Sequence, residues 1–166
     1  MAERLLVCGG RDFNDQAFVF GVLDMLSEEL VINAVIQGDC QTGADRLARM
    51  WAISRNHHLD RFPADWRGYG KAAGPIRNQR VINEGRPTIG VVLPGGRGTN
   101  DMARKLQAVV WCIFMADIPL RIVSCSSWLP GAACRGWNTS AIAATIHPAS
   151  ILLICLSERR AKMSKI

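Results

Sequence analysis

The sequence predicts an α/β protein in which helices cover both faces of a parallel sheet. Three observations lead to this prediction. Short β-rich runs alternate with helix-like stretches along the chain, the connections between successive runs are too long for hairpins, and 166 residues suffice for one main domain with a substantial core. The expected layout is Rossmann-like, followed by an atypical C-terminal extension.

Five runs rich in β-branched and other apolar residues are the predicted strands. Because the strands are expected to be parallel, every loop from a strand to the next helix should lie at the carboxyl edge of the sheet, where ligands bind in such folds. The loops after these strands should therefore converge. The runs are RLLVC (4–8), VINAVI (31–36), HLDRF (58–62), IGVVL (89–93) and LRIV (120–123).

Four helix-like stretches separate these runs. The first two span about residues 15–30 and 44–55, and both look amphipathic. The third begins near Pro75, which suits a first helical position, and stops at Gly85, which suits a C-terminal cap. The fourth starts near Asn100 and ends before the Asp-Ile-Pro segment of residues 117–119. Its predicted apolar stripe consists of Met102, Leu106, Val109 and Ile113.

The chain changes character after the Rossmann-like domain, which we assign to residues 4–123. Residues 106–157 hold only three charged side chains, and residues 124–166 are predicted to be an apolar extension of uncertain structure. The segment 139–157, followed by basic residues, is nearly long enough to span a bilayer. A His-Pro pair at its centre weakens that interpretation. The alternatives are a short helix and strand packed on the sheet, or a poorly ordered extension.

The net charge of +6 and the pI near 9.3 favour anionic partners, whether nucleotide, nucleic acid or lipid headgroup. The six cysteines form no CxxC pair and no signal peptide precedes the first strand, so a disulfide or zinc framework has little support. We therefore expect a cytoplasmic protein without a metal or cofactor, and the sequence argues against a membrane partner. Assembly into homo-oligomers stays open.

Loop 1, GGRDF (9–13), follows the first predicted strand. Gly9 and Gly10 let the backbone turn tightly or approach a ligand, while Arg11 and Asp12 supply one charge of each sign. We expect Gly9, Gly10 and Arg11 to contact a phosphate. A glycine turn with a surface ion pair is the alternative.

Loop 2, GDCQTGADRLA (38–48), leads into the second predicted helix. Gly43 and Ala44 open this helix, and its N–H groups and positive dipole end would attract an anion. These two residues are therefore predicted phosphate ligands. Asp45, in the same turn, would alternatively serve as a helix cap.

Loop 4, PGGRGTND (94–101), gives the sharpest signal, because three glycines directly after an apolar strand provide amides that can wrap a phosphate. Either Thr99 or Asn100 is expected to cap the following helix. The loop is neither a Walker A loop nor a dinucleotide GxGxxG motif. A glycine-rich turn without a ligand is the alternative. The predicted phosphate ligands are Gly95, Gly96, Gly98 and Thr99.

Loop 3, PADWRGYGKAAGPIRNQR (63–80), adds cations to the same edge. Arg77 and Arg80 lie three residues apart, so they should share a helix face, and guanidinium groups suit bidentate contacts to phosphate oxygens. Trp66 and Tyr69 are able to stack on a base. A solvated face for the charges, and packing against the sheet edge for the aromatic rings, are the alternatives.

Taken together, VCGGRDF, GADRLA, PADWRGYGKAAGPIRNQR and PGGRGTNDM resemble the YspA-like, cpYpsA-related branch of the SLOG superfamily. The resemblance covers about residues 4–123. The superfamily contains Rossmann-like domains associated with nucleotides and nucleotide-derived ligands, including cytokinin-activating phosphoribohydrolases and the DNA-binding protein DprA. The resemblance therefore implies nucleotide-related binding and a bacterial or phage source.

One position departs from the pattern of the phosphoribohydrolases. Their motif is similar to PGGxGTxxE, and its glutamate belongs to the catalytic site, whereas this chain has Met102 there and Asp101 one residue earlier. Cleavage of an N-glycosidic bond builds positive charge on the ribose ring, which a carboxylate stabilises. Asp101 and Asp12 are the candidate catalytic residues, and Asp45 is a further carboxylate that could substitute.

We therefore expect a domain that binds or senses a nucleotide or a nucleotide-derived ligand through a phosphate cup at the C-terminal edge of the sheet. A hydrolase of nucleotide N-glycosidic bonds, similar to the phosphoribohydrolases, is the enzymatic alternative. Binding of single-stranded nucleic acid in the manner of DprA, through the basic charge and the tryptophans, is the third.

Overall fold

The computed structural model describes residues 2–114 and 121–123. They form a six-stranded sheet in the order β3-β2-β1-β4-β5-β6. Neighbouring strands from β3 to β5 are parallel, and β6 runs antiparallel to β5. This order reverses direction at β1, as in Rossmann-like folds, so the predicted fold class is confirmed. The strands are β1 (Glu3–Cys8), β2 (Ile32–Gln37), β3 (His58–Arg61), β4 (Ile89–Val92), β5 (Trp111–Phe114) and β6 (Arg121–Val123).

Five α-helices connect the parallel strands. Three of them, α1, α2 and α4, lie close to the positions of the first three predicted helices. Asp15 caps α1 by accepting a hydrogen bond from the Phe18 amide at 2.9 Å. Leu47 and Trp51, predicted to share one face of α2, are both buried. The helices are α1 (Gln16–Glu29), α2 (Gly43–Ser54), α3 (Trp66–Tyr69), α4 (Ala73–Arg80) and α5 (Arg97–Gln107).

The helices pack in two layers, one on each face of the sheet. Right-handed crossovers place α1 and α2 on one face, because they lead from β1 towards β3, and place α4 and α5 on the other face. The contacts agree, since α1 packs against α2 and α4 against α5. On the first face, the Trp51 indole donates to Asp24 at 2.8 Å, and Arg55 pairs with the same carboxylate, also at 2.8 Å.

The core lies between the central strands and these helices. One cluster joins β1, β2 and β4 to the α4–α5 layer, and it includes the side chain of Met102. Met102 is only 4% exposed, because α5 turns this position towards the sheet. Its partners in the cluster are Leu6, Cys8, Ile36, Phe62, Val81, Val92, Ala103 and Leu106.

The fourth predicted helix is wrong in its second half. Helix α5 ends at Gln107. Of the two residues that continued its apparent stripe, Val109 lies in the turn after the helix, and Ile113 lies in β5, where it pairs with Val91 of β4. The run WCIF is aromatic and β-branched, and it extends the sheet by parallel pairing. Consequently the predicted last strand, Arg121–Val123 in the structure, pairs antiparallel with β5 and is not the fifth parallel strand.

The third predicted helix begins earlier than expected. A 3₁₀ turn, Gly70–Ala72, leads into α4, so that Pro75 is the third residue of the helix. Proline is tolerated there because the first four amides of a helix have no partner within it. A π-helical turn, Val81–Gly85, extends the helical segment to the predicted stop.

Among the described residues, no helix is both long enough and apolar enough to cross a membrane. The predicted extension, residues 124–166, and the segment 139–157 within it lie outside the described residues. The assignment of a separate domain to 4–123 stays a prediction.

Candidate functional site

Loops 1, 2 and 4 are joined by hydrogen bonds at the carboxyl edge of the sheet. The amide of Gly10 donates to the carbonyl of Pro94 at 2.7 Å, and the carbonyl of Gly10 accepts from the amide of Ala44 at 3.1 Å. Gly10 therefore connects the loop after β1 both to the loop after β4 and to the start of α2. This edge includes the reversal in strand order between β1 and β4, where ligands bind in Rossmann-like folds.

Four of the predicted glycines are needed for this close packing of backbone on backbone. A Cβ at Gly9 would lie 2.7 Å from the Cβ of Ala44, and one at Gly95 would lie 2.6 Å from the amide nitrogen of Gly10. Gly43 has a positive φ of 70°, and a Cβ there would overlap the carbonyl oxygen of Gly10. Gly10 itself is close to loop 4, since its Cβ would lie 3.2 Å from the Cα of Gly95.

Gly96 and Gly98 have no such packing reason to be glycine. A Cβ at either position would meet no described atom within 4 Å, and Gly96 has a φ of −90° that any residue can adopt. Both residues are exposed. The space above them is open, so the backbone of loop 4 is accessible to a ligand at these two positions.

The N-terminus of α5 is unsatisfied within the described part of the chain. Gly96 is the N-cap and supplies no side-chain hydrogen bond, and the first amide bonded in the helical pattern is that of Asn100, which donates to Gly96 at 3.0 Å. The amides of Arg97, Gly98 and Thr99 have no partner there. The first turn also contains no acidic residue. Neither Thr99 nor Asn100 caps the helix as predicted, and Thr99 is buried with its hydroxyl against Gly95.

The N-terminus of α2 is occupied by the protein itself. The Ala44 amide is bonded to Gly10, and Asp45 lies in the first turn, 8% exposed, where its carboxylate accepts from the Cys40 amide at 3.1 Å. Burial raises the pKa of Asp45, and the Cys40 hydrogen bond and the nearby charge of Arg77 oppose that shift only in part. Asp45 therefore accepts a hydrogen bond from loop 2. The amide of Ala44 is already bonded to Gly10, so it does not support the prediction that Gly43 and Ala44 bind a phosphate.

Arg77 is half-buried beneath loop 2. Its guanidinium donates to the carbonyl of Gly38 and, at 3.5 Å, to that of Phe62, while its Nε donates to the side chain of Asn78 at 3.0 Å. Its Nη1 lies 4.0 Å from a carboxylate oxygen of Asp45. Most of its donors are therefore directed at the protein. Contact between Arg77 and a phosphate stays a prediction.

Arg80 lies on the same side of α4, as predicted. Its guanidinium carbon is 5.5 Å from the centre of the Phe62 ring, and its Nε pairs with Glu84 at 3.2 Å. Both Arg77 and Arg80 therefore contact Phe62. Because the side chain of Arg80 is 46% exposed, it keeps donors for an anion, but the structure does not bring it into contact with loop 4.

Asn78 connects α4 to the start of α5, a role for which the sequence contains no signal. It is 2% exposed, and its amide group donates to the carbonyl of Gly98 at 3.1 Å and to Asp101 at 2.9 Å. With the bond from Arg77, all of its principal hydrogen-bonding groups are used. Asn78 therefore fixes the first turn of α5, whose amides are unsatisfied.

Asp101 takes part in this connection between α4 and α5, because its carboxylate accepts hydrogen bonds from the protein itself. Besides Asn78, it accepts from Lys105 at 2.6 Å, and Lys105 also donates to the carbonyl of Pro75 at 3.1 Å. Partial burial would raise the pKa of Asp101, but the hydrogen bonds from Lys105 and Asn78 and the charges of Lys105 and Arg104 outweigh it and lower the pKa. The other candidate carboxylate, Asp12, is exposed on loop 1 with no described partner.

Arg11 of loop 1 and Trp66 of α3 form a pair. The guanidinium carbon of Arg11 lies 5.4 Å from the centre of the Trp66 ring, within the range of a cation–π contact. Arg11 is exposed and has no hydrogen bond or ion pair with any described residue. Trp66 and Tyr69 are 51% and 57% exposed, so neither ring is packed away against the sheet. No cluster of potential metal ligands occurs in the described part of the chain.

This arrangement defines a Rossmann-like α/β protein in which an exposed arginine and a helix N-terminus without described partners lie at the carboxyl edge of the sheet. The chain belongs to the YspA, cpYpsA-related SLOG family, whose model matches residues 3–69. It is also 32% identical to the Gene 61 protein of Mycobacterium phage D29 over 116 residues, which cover 63% of this chain and 89% of that protein. A comparison with solved structures found no match.

Family membership confirms the resemblance found in the sequence and supports the binding of nucleotide-derived ligands, or a related function, in general terms. The matched residues include loops 1 and 2 and Trp66, while α4 and loop 4 lie beyond them. The chemistry of those two segments therefore depends on the geometry of this chain.

Proposed function

We propose that the protein binds a nucleotide or a nucleotide-derived ligand, with a phosphate on the amides of Arg97, Gly98 and Thr99. The observation that carries this proposal is the unsatisfied N-terminus of α5 beneath two glycines that nothing crowds. Three amides without a described partner, at the positive end of a helix dipole, make a site for an anion.

The charges around this helix end support the same conclusion. Arg97 is the first residue of α5, where a cation is unfavourable because it adds to the positive end of the dipole. Arg11, the residue after Gly10, is a second exposed cation without a counter-charge among the described residues. A phosphate would relieve both, since it would accept from the amides and neutralise the excess positive charge.

The remaining predicted ligands take different parts in this proposal. Gly9, Gly10, Gly43 and Gly95 allow the loops to approach one another closely. Arg77 donates to the backbone of loop 2, and Arg80 adds positive charge without contacting loop 4. The cup is thus smaller than the sequence predicts, and its contact surface is the segment from Gly96 to Thr99 together with Arg11.

A thermal-shift panel of mono-, di- and cyclic nucleotides, NAD and ADP-ribose tests the proposal. A ligand at a hundred times its Kd should stabilise the fold by ~2.7 kcal/mol. Gly96→Asp should remove the shift, because the added carboxylate would repel the phosphate, and its side chain has room in the folded protein.

Gly21→Asp is the matched control, because Gly21 is also exposed with open space around its Cβ position but lies on α1. The two variants carry the same change of charge. The control should keep the ligand-induced shift in full. If Gly96→Asp binds as well as the control does, the phosphate does not lie on α5 and the proposal fails.

The hydrolase and nucleic-acid alternatives have their own readouts. Hydrolysis requires a carboxylate at the ribose, and release of free base from nucleoside monophosphates, abolished by Asp12→Asn or Asp101→Asn, would establish it. Binding of single strands would give an affinity that grows with strand length and falls steeply with salt. A small ligand on α5 predicts neither result.

A further inference from the structure

We infer that Trp66, with Arg11 against its ring, is a stacking platform for an aromatic base, so that the ligand is a base-bearing nucleoside phosphate and not a sugar phosphate. This inference rests on the proposed function, because it takes the phosphate on α5 as given. It adds the class of group that lies beside that phosphate.

The backbone around Trp66 holds the indole at the rim. Trp66 is the first residue of α3, whose N-cap, Asp65, accepts from the Gly68 amide at 2.9 Å. The far edge of the ring approaches α4, since a Cβ at Gly74 would lie 3.6 Å from its Cη2 atom. The indole is thus bordered by α4 on one edge and still leaves 51% of the residue exposed.

Arg11 connects the indole to the proposed phosphate site. Its Cα lies against loop 2, since a Cβ at Gly43 would lie 2.6 Å from it, and the preceding residue, Gly10, is bonded to Pro94 of loop 4. The side chain of Arg11 therefore starts where loops 2 and 4 meet. Its guanidinium reaches Trp66 and makes no other described contact. A guanidinium that lies over an aromatic ring keeps N–H donors for other partners, so Arg11 can hold a phosphate while it lies over one side of the indole.

A base explains the exposed indole better than a sugar does. An exposed tryptophan leaves a large apolar surface in water, and a planar heterocycle covers such a surface and gains stacking energy, whereas a ribose has no π-system. The cation on one face of the ring and the open remainder of the ring together suit a base that is followed, through its sugar, by a phosphate on α5. Tyr69, by comparison, has no described ring or cation contact.

The experiment measures the affinities of AMP, GMP and ribose 5-phosphate by calorimetry for the full chain and for Trp66→Ala, Trp66→Phe and Tyr69→Ala. The wild-type chain should bind at least one of the two nucleotides about 10- to 100-fold more tightly than ribose 5-phosphate, as expected for one base–aromatic stack. Trp66→Ala should erase that ratio and leave the affinity for ribose 5-phosphate unchanged. Trp66→Phe should restore most of the ratio, and Tyr69→Ala should leave it intact.

Each contrary outcome has one meaning. Equal affinities for the nucleotides and ribose 5-phosphate in the wild-type chain, or a ratio that survives Trp66→Ala, would overturn the stacking platform while the phosphate site stands. If neither nucleotides nor ribose 5-phosphate bind, the proposed function itself fails. Because Trp66 is half exposed, unfolding of Trp66→Ala is not expected, and the melting temperature of each variant without ligand checks this.

Discussion

The N-termini of α2 and α5 look alike in sequence and differ completely in structure. Each follows a buried strand and a glycine-containing loop at the carboxyl edge of the sheet. At the start of α2 the protein itself occupies the site. The carbonyl of Gly10 accepts a hydrogen bond from the Ala44 amide, and the backbone of loop 1 packs against Gly43. The start of α5 keeps three amides without described partners and two glycines in open space.

The difference shows that a glycine-rich loop can serve either close packing or a ligand. At Gly43 the absence of a side chain lets the backbone of loop 1 pack closely. At Gly98 no described atom lies within 4 Å of the position that a Cβ would take. Only the second kind of glycine supports a binding function. Three sets of substitutions would separate the two helix ends.

The largest effect is expected from alanine at the two glycines. Gly43→Ala should destabilise the fold by about 3 kcal/mol, because it combines a positive φ with an overlap on the carbonyl of Gly10. Gly98→Ala should instead stabilise the fold by about 0.5 kcal/mol, because alanine favours a helix. Urea denaturation measures both values.

Gly98→Ala should nevertheless weaken ligand binding, since its methyl group would occupy the open space above the amides. The contrary result would be that Gly43→Ala leaves the free energy of unfolding unchanged, or that Gly98→Ala lowers it as much as Gly43→Ala does. Either result would mean that the two helix ends are packed alike.

An intermediate effect is expected at Asn78, which fixes the open end of α5. Asn78→Ala should lower the free energy of unfolding by about 2 kcal/mol, because it removes the buried side chain that joins α4 to Gly98 and Asp101 and leaves the Nε of the half-buried Arg77 without its partner. It should also weaken nucleotide binding. Gln79→Ala is the control, since Gln79 is the exposed neighbour, and it should change stability by less than about 0.5 kcal/mol.

The smallest effect concerns pH, because the two helices carry acids whose pKa values are shifted in opposite directions. The raised pKa of Asp45 means that the folded state binds the proton more tightly, so stability falls as pH rises from about 3.8 through the folded pKa. The lowered pKa of Asp101 means that its contribution is present above 3.8 and is lost as pH falls through the folded pKa.

Urea denaturation between pH 3 and pH 7 should show the two contributions separately. The wild-type chain should lose stability as pH rises above 3.8 because of Asp45, and Asp45→Asn should not show that loss. The wild-type chain should also lose stability as pH falls below 3.8 because of Asp101, and Asp101→Asn should not show that second loss. Identical changes in the two profiles would mean that burial at Asp45 does not govern its titration.

Most of the fold could be predicted because periodicity and strand propensity agree over its first hundred residues. The run Trp111–Phe114 was the exception: Ile113 follows Leu106 at a spacing that also fits a helix, so only its pairing with β4 decides between the two. The direction of β6 depends on that pairing and could not be predicted without β5.

The candidate site was predictable in location and not in detail. Glycines after strands identify the edge, but the sequence does not tell which amides the protein itself uses, as at Ala44. The burial of Asn78 and the inward direction of Arg77 depend on contacts between segments up to 39 residues apart. The contact of Arg11 with Trp66 had no signal in the sequence beyond the presence of both residues near the edge.

Gly10 links the two helix ends mechanically. Its N–H is bonded to the carbonyl of Pro94 and its carbonyl to the N–H of Ala44, so a shift of the chain after β4 must pull on the first turn of α2 through a single residue. Deuterium uptake at Ala44 should therefore slow when a nucleotide occupies α5, even though Ala44 would not touch it.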